Sequence, residues 1–375
     1  MKVIAWYLPQ FHETKENDEW WGKGFTDWVN VKKAKKFSEK QYQPRVPLDD
    51  NYYDLSDPSV MAWQAQIAKE HGVYGFCIHH YWFDGKMLLQ KPLENYLQHT
   101  EIDYPFCISW ANEHWTTQWN GSNKILMPQR YGGEAEWKEH FYYLLPFFKD
   151  ERYVKKDGKP LFVFYRADIV DCAKEMMACW QQLAKENGLP GLCIAYAVRN
   201  EYDTWQQPKA KEVFDYRIDY QPGLTFSLQQ KKRWYSFLLP VQHFMAQHFS
   251  GFFKIDFQSI SPFKLREYDY KGVWQQIHGL QPIHTHHIPG AFVDWDNTPR
   301  KGERGSYFAG VSPQIFYQMF KKQVLHTRND YKQDMIFLFA WNEWAEGGYL
   351  EPDQKRKYGF LEAIHRALEE TGELE

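Results

Sequence analysis

No uninterrupted apolar run in the 375 residues approaches the ~18 that a membrane-spanning helix needs, so membrane insertion of that kind is not expected. Charge of one sign is also missing. Lys plus Arg number 45 against 48 Asp plus Glu, so nothing global attracts nucleic acid or an anionic membrane, and a neutral partner is favoured. The five cysteines Cys77, Cys107, Cys172, Cys179 and Cys193 form no CxxC pair. An odd number, with three in apolar strand-like runs, predicts free buried thiols in a reducing compartment and argues against a zinc or disulfide scaffold. The opening MKVIAWYLPQFH lacks the apolar stretch and cleavage site of a signal peptide, so the chain as given reads as cytoplasmic; one trimmed of an export signal would read the same. No GxGxxG, Walker loop or HExxH occurs, which leaves a nucleotide cofactor or a zinc-protease centre without its usual motif. No repeat, low-complexity tract or linker divides the chain, and residues 1–375 are expected to form one domain.

What is abundant is aromatic side chains: 17 Trp, 25 Tyr and 27 Phe in a chain of mean hydropathy -0.68. Many rings beside many polar groups suit a cleft in which sugar rings stack while side chains bond their hydroxyls. An aromatic-rich core would account for the same composition.

Short apolar runs alternate with longer amphipathic stretches. The strand candidates are Val3 to Leu8, Val73 to His80, Pro105 to Trp110, Leu161 to Arg166, Leu192 to Val198, Phe214 to Tyr220, Gly290 to Trp295 and Met335 to Trp341. Helical patterns at 59–72, 134–150 and 174–188 fall between them. Strands apolar on both faces imply a parallel sheet, and eight strand–helix units imply a (β/α)8 TIM-like barrel with its active site at the C-terminal ends of the strands. Polar and aromatic residues do crowd those ends: YLPQFH, HHYWF, SWANEHW, YRAD, DWDNTPR and WNEWAEG. Two long segments, Glu13 to Asp57 and Leu224 to Leu280, are expected as insertions over the barrel mouth.

WNEWAEG, residues 341–347, carries Glu343 and Glu346 three apart between Trp341 and Trp344. On a continuous strand an odd spacing would part the two side chains, whereas a bend, which Gly347 and Gly348 permit, would bring them together. Paired carboxylates at a barrel mouth suit glycoside hydrolysis, one group protonated and the other ionised. Glu113 in SWANEHW follows the third strand and is either an acid across the barrel or a ligand to sugar hydroxyls. The clusters His79–His80 and His284, His286, His287 could offer a metal at most two ligands each, because neighbours on a strand face opposite ways, and no metal is expected. Asp294 and Asp296 form a DxD, a pattern of nucleotide-sugar transferases; at a barrel strand end they are read as bonding substrate hydroxyls, or Asp296 as anchoring Arg300. Trp6, Tyr7, Trp28, His79, His80, Tyr81, Trp82, Trp110, Asn112, Trp115, Trp341, Asn342 and Trp344 complete the expected sugar-binding set.

YLPQFH, WWGKGFTDWVNV at 20–31, YQPRVP at 42–47, YYDLSDP at 52–58, GFCIHHYWF at 75–83, WANEHW, DWDNTPR and WNEWAEG together resemble the WbsX-like proteins of the glycoside hydrolase family 99-like group, over residues 1 to about 365. The resemblance implies a (β/α)8 barrel without a cofactor. Family 99 enzymes are retaining endo-α-mannosidases, and the glutamates of their NEWxEG motif correspond to Glu343 and Glu346. There the first takes the proton of the substrate's own 2-hydroxyl, which attacks the anomeric carbon, and the second is general acid and then base. Such a route needs a 1,2-trans glycoside, of α-mannoside or α-rhamnoside type. The expected function is therefore a glycoside hydrolase acting on an oligosaccharide or polysaccharide. WbsX-like proteins also carry a glycosyltransferase label, which with the DxD sustains a transferase of surface-polysaccharide synthesis as the alternative, beside a non-catalytic glycan-binding protein.

Overall fold

The computed structural model describes residues 1–117, 124–200, 211–231 and 265–374. Its central sheet contains β1 (Lys2–Tyr7), β2 (Gly75–Phe83), β3 (Phe106–Trp110), β4 (Lys159–Phe164), β5 (Cys193–Val198), β6 (Tyr216–Asp219), β7 (His287–Ile288), β8 (Gly290–Phe292) and β9 (Met335–Phe339). Neighbours pair in parallel from β1 through β6 in chain order, β6 pairs with β7, and β1 pairs on its other side with β9, which pairs with β8. Only Pro289 separates β7 from β8. A proline has no N–H for a ladder, so the strand breaks there, and its two halves fill the seventh of eight places. The ring is thereby closed, and the fold is a (β/α)8 TIM-like barrel.

The covering helices are α1 (Pro58–Glu70), α2 (Lys91–Gln98), α3 (Glu134–Lys149), α4 (Ala173–Glu186), α5 (Tyr270–Gly279), α6 (Pro313–His326) and α7 (Gly359–Thr371). Their starts are written locally. Asp57 and Ser312 cap α1 and α6 by accepting from Ser59 and Ile315 backbone N–H groups, each just ahead of a proline at the first helical position. Every residue of β3 and β9 is buried, as expected for parallel strands covered on one side by helices and on the other by the barrel interior.

Two expectations shift. The second strand runs to Phe83, beyond His80, and turns back in a hairpin with Lys86–Leu88. The segment Leu224–Leu280 is not wholly an insertion, because α5 within it is one of the covering helices; residues 232–264 lie outside the described residues. The other insertion, Glu13–Asp57, contributes the short helices Lys15–Trp21 and Trp28–Lys32. Trp28 from it packs 5.5 Å from the ring of Trp344, which lays the insertion against the loop that follows the last barrel strand.

Candidate active site

The chain leaves β9 through a small hairpin in which Asn342 and Glu343 pair with Tyr349 and Gly348. Between them Trp344–Glu346 forms one 3-10 turn, closed by Gly347 in the left-handed region at φ 67°. A 3-10 helix has three residues per turn, so positions i and i+3 eclipse. That geometry brings Glu343 and Glu346 to the same side. Asn342 fixes the hairpin to the first strand, accepting from the Leu8 N–H (2.8 Å) and donating to the Leu8 carbonyl (3.0 Å).

One guanidinium holds both carboxylates. Arg300 places Nη2 at 3.0 Å from Glu343 Oε1 and Nη1 at 3.0 Å from Glu346 Oε1, and Nη2 also donates to Asp27. Asp27 in turn accepts from Gln10 and Asn30. The Glu343 side chain is 4% exposed and that of Glu346 22%. Burial pushes the Glu343 carboxyl well above the usual carboxylate range; Arg300 pulls it back down, while Glu346 and Asp27 add to the rise. Burial opposes the charge of Arg300, but Asp27, Glu343 and Glu346 outweigh it and raise its pKa.

Arg300, Glu343 and Glu346 line a cavity of about 610 Å³ at the C-terminal ends of the strands, together with His79, Tyr81, Trp115, Tyr131, Tyr165 and Tyr220 among others. Glu113 lies in its wall too. Its Oε2 is 3.3 Å from Arg166 Nη1 and 3.4 Å from Arg199 Nη1, and its side chain is 42% exposed. Arg166 is gripped at the back by Asp168 (2.8 and 2.7 Å), and Arg199 lies 4.7 Å over the Tyr165 ring.

The structure therefore brings seven of the sequence-derived residues to one cavity: His79, Tyr81, Glu113, Trp115, Arg300, Glu343 and Glu346. The rest pack elsewhere, and strand alternation explains most of it. Along β2, His79 and Tyr81 face inward, whereas His80 and Trp82 face α3. His80 Nε2 is 2.9 Å from His140 Nε2, and Trp82 stacks on His140 at 4.5 Å and donates to Glu136. Trp6 is fully buried inside the barrel beneath His79, 5.5 Å away, while Tyr7 points outward and donates to Gln64 of α1. Trp110, also fully buried, packs against His140 at 4.7 Å. Asn112 is a brace, donating to Tyr131 and the Arg166 carbonyl. Trp28 donates to the Tyr53 carbonyl, Trp341 packs 5.0 Å from Phe76, and Trp344 donates to Glu351 and stacks on Tyr349 at 3.7 Å. Of the seven tryptophans named from sequence, only Trp115 presents a ring to the cavity.

The DxD carboxylates are engaged by protein. Asp294 is paired with Arg45 (2.9 Å) and Arg356 (3.0 Å), and Asp296 accepts from the Thr298 N–H and hydroxyl. The carboxylate that holds Arg300 from behind is that of Asp27. His287 lies 2.8 Å from Asp219, and His286 is stacked on Tyr216. Sequence reasoning missed Asp27, Tyr165, Arg166, Tyr220 and Glu351. The last is a fully buried carboxyl accepting from Trp344, Tyr53 and Gln64, with its pKa pushed up to about 7 by burial. YRAD and YLEPD were there to be read, but an aspartate in GFTDW carries no local mark of a partner 273 residues away.

Comparison with solved structures gives the endo-alpha-mannosidase of glycoside hydrolase family 99 from Bacteroides thetaiotaomicron, at 12% identity and TM-score 0.57, covering 99% of this chain and 98% of that one. A protein described as glycoside hydrolase-like matches at 10% identity and TM-score 0.54, covering 98% and 93%. At such identities the likeness is one of fold. Among curated proteins, the uncharacterized protein WxcX of Xanthomonas campestris pv. campestris, strain B100, is 31% identical over 371 residues, and its counterpart in strain ATCC 33913 is equally so. The match covers 98% of this chain and 49% of each relative, so the chain spans about half their length. The family model described as "Glycosyltransferase WbsX" matches residues 3–364, and the chain belongs to that family.

Proposed function

We propose that the protein is a retaining glycoside hydrolase acting on 1,2-trans glycosides, of α-mannoside or α-rhamnoside type, within an oligosaccharide or polysaccharide. The observation that carries this reading is the single guanidinium lying 3.0 Å from both Glu343 and Glu346 at the wall of an aromatic, polar cavity. Two carboxylates held side by side, one buried and the other partly open, have the asymmetry that acid–base pairs need.

In this scheme Glu343 is the base. Burial raises its affinity for a proton and Arg300 offsets part of that rise, a combination suited to taking the proton from the sugar 2-hydroxyl. The freed oxygen attacks the anomeric carbon as the glycosidic bond breaks, and Glu346 gives its proton to the departing oxygen. The product is a 1,2-anhydro sugar. Glu346, now a carboxylate, takes a proton from water, which opens the strained ring at the anomeric carbon, and Glu343 returns its proton to the 2-oxygen. Two inversions give net retention, and no bond to the enzyme forms. Tyr81 and Trp115, with ring centroids 5.0 Å apart, offer aromatic surface to the sugar, and His79, Tyr165 and Glu113 offer hydroxyl partners.

The decisive experiment is incubation with a panel of α-mannosides, α-rhamnosides and bacterial polysaccharides, with product configuration followed by NMR. Release of retained reducing sugar without a nucleotide donor is expected. A stable ester on Glu343 after an activated 2-fluoro glycoside would replace the 2-hydroxyl route by ordinary double displacement, and an inverted product would reject both. Activity that requires a sugar nucleotide, with no hydrolysis, would favour the transferase suggested by the family's description.

A further inference from the structure

Arg45 belongs to the YQPRVP segment of the first insertion and does not line the cavity. Its side chain is 4% exposed, yet it reaches the loop that carries the glutamates. Nη1 donates to the carbonyl of Gly347 at 2.8 Å, and Nη2 lies 2.9 Å from Asp294 Oδ2. The same Oδ2 also meets Arg356 Nη1 at 3.0 Å. Two further bonds complete the hold on the turn: the Asp296 N–H donates to the Glu346 carbonyl at 2.7 Å, and the Gly347 N–H donates to the Trp344 carbonyl at 3.1 Å. The Glu346 carbonyl and both backbone groups of Gly347 are thereby bonded.

The glycine is what lets the arginine in. A Cβ at residue 347 would fall 2.8 Å from Arg45 Cζ and 2.9 Å from the Asp296 nitrogen, and φ there is 67°. The backbone conformation and the close approach ask for the same residue.

We propose that Arg45 is a positioning residue which, by clamping the Gly347 carbonyl from the buried Arg45–Asp294–Arg356 cluster, sets the Glu346 carboxyl at its place against Arg300. The inference rests on the reading of Glu346 as the general acid. Its physical basis is that the fork of an arginine bonds a carboxylate and a carbonyl at once, which a lysine's single ammonium cannot do in that geometry. Small displacements of a proton donor are costly, about 10²-fold for an ångström.

The test uses the full chain and a series of aryl and alkyl glycosides of falling leaving-group ability. Arg45→Met is expected to lose about 10²-fold in kcat on the poorest leaving groups and less than about fivefold on activated aryl glycosides, because only the former need the acid. Arg45→Lys should fall between Arg45→Met and wild type. A loss uniform across the series, or no loss, overturns the proposal. Should Arg45→Met not fold, Arg45→Lys carries the test alone: it keeps a cation beside Asp294 but cannot bond the Gly347 carbonyl at the same time, and the same selective loss, smaller in size, is expected. Crystal structures of these variants give an answer that does not depend on turnover: Glu346 should leave Arg300, and an unchanged 3.0 Å contact refutes the clamp. If wild type cleaves no glycoside, the proposed function falls while that structural outcome still decides the role of Arg45.

Discussion

At the end of β9, Glu343 and Glu346 share one buried guanidinium at 3.0 Å, and a third carboxylate, Asp27, braces it from behind. At the end of β3, Glu113 reaches two guanidiniums through one oxygen at 3.3 and 3.4 Å and remains 42% exposed. The chemistry of the groups is the same, but the surroundings are not. In the buried cluster Glu343, Arg300 and Asp27 are shielded from bulk water, each of these charges feels its partners strongly, and the proton affinity of Glu343 is set by the protein. At the rim, solvent screens the pairs and the side chain can swing without leaving an unpaired charge in the interior. The first arrangement suits proton transfer; the second suits adjustable contact with a ligand.

Substitutions can break this contrast. Glu346→Gln should cost the most, about 10²- to 10⁴-fold in kcat on substrates with poor leaving groups, with the protein still folded. Steady-state kinetics beside a melting curve would check it. Arg300→Lys keeps a charge but loses the fork, and about 10- to 100-fold is expected. Because a cation favours the ionised form, weakening it should move the acidic limb of the kcat/KM profile to higher pH. A limb that stays or moves down would show that Arg300 does not govern Glu343.

A third test concerns the support behind the pair. Glu351, raised to about 7 against an ordinary 4.5, binds its proton more tightly folded than unfolded. Stability from this group is therefore full below about pH 4.5 and declines as pH rises through 7, by up to roughly 3 kcal/mol. Glu351→Gln should remove that decline, so the variant's deficit in urea unfolding should be larger at pH 5 than at pH 8; an equal deficit would place its folded pKa near that of a free carboxyl. The smallest effect belongs to the rim: Glu113→Gln should lose less than about tenfold, mainly in KM. A Glu113 variant worse than Glu346→Gln would move the acid across the cavity.

Much of the barrel was legible because parallel strands covered on both faces read as apolar runs, and all eight runs coincide with places in the ring. The WNEWAEG turn was legible as well, since two glycines after an i, i+3 pair make a bend the economical reading. The aromatic residues were harder. Whether a ring faces the cavity or a helix depends on strand phase and on where the strand stops; β2 runs to Phe83, and its alternation sends His80 and Trp82 to α3 while His79 and Tyr81 enter the cavity. Asp27 and Arg45 were invisible because their roles are defined by residues about 300 positions later. Arg300 was noticed, but the anchor offered for it as one alternative, Asp296, is its near neighbour in sequence, whereas Asp27 is its neighbour in space.

The bonds between Leu8 and Asn342 span 334 positions. Gln10, Asp27 and Arg45 from the start of the chain meet Asp294, Arg300, Glu343 and Glu346 from near its end, across the seam where the ring shuts. The first of these groups would thus leave the ribosome long before the second. Arg300 could gain its brace, Asp27, only after the last strands had come in beside the first. Contacts of such long range are slow to form and cannot be rehearsed in fragments. Competence to act would then be the final event of folding, and a barrel left ajar would be an inert one.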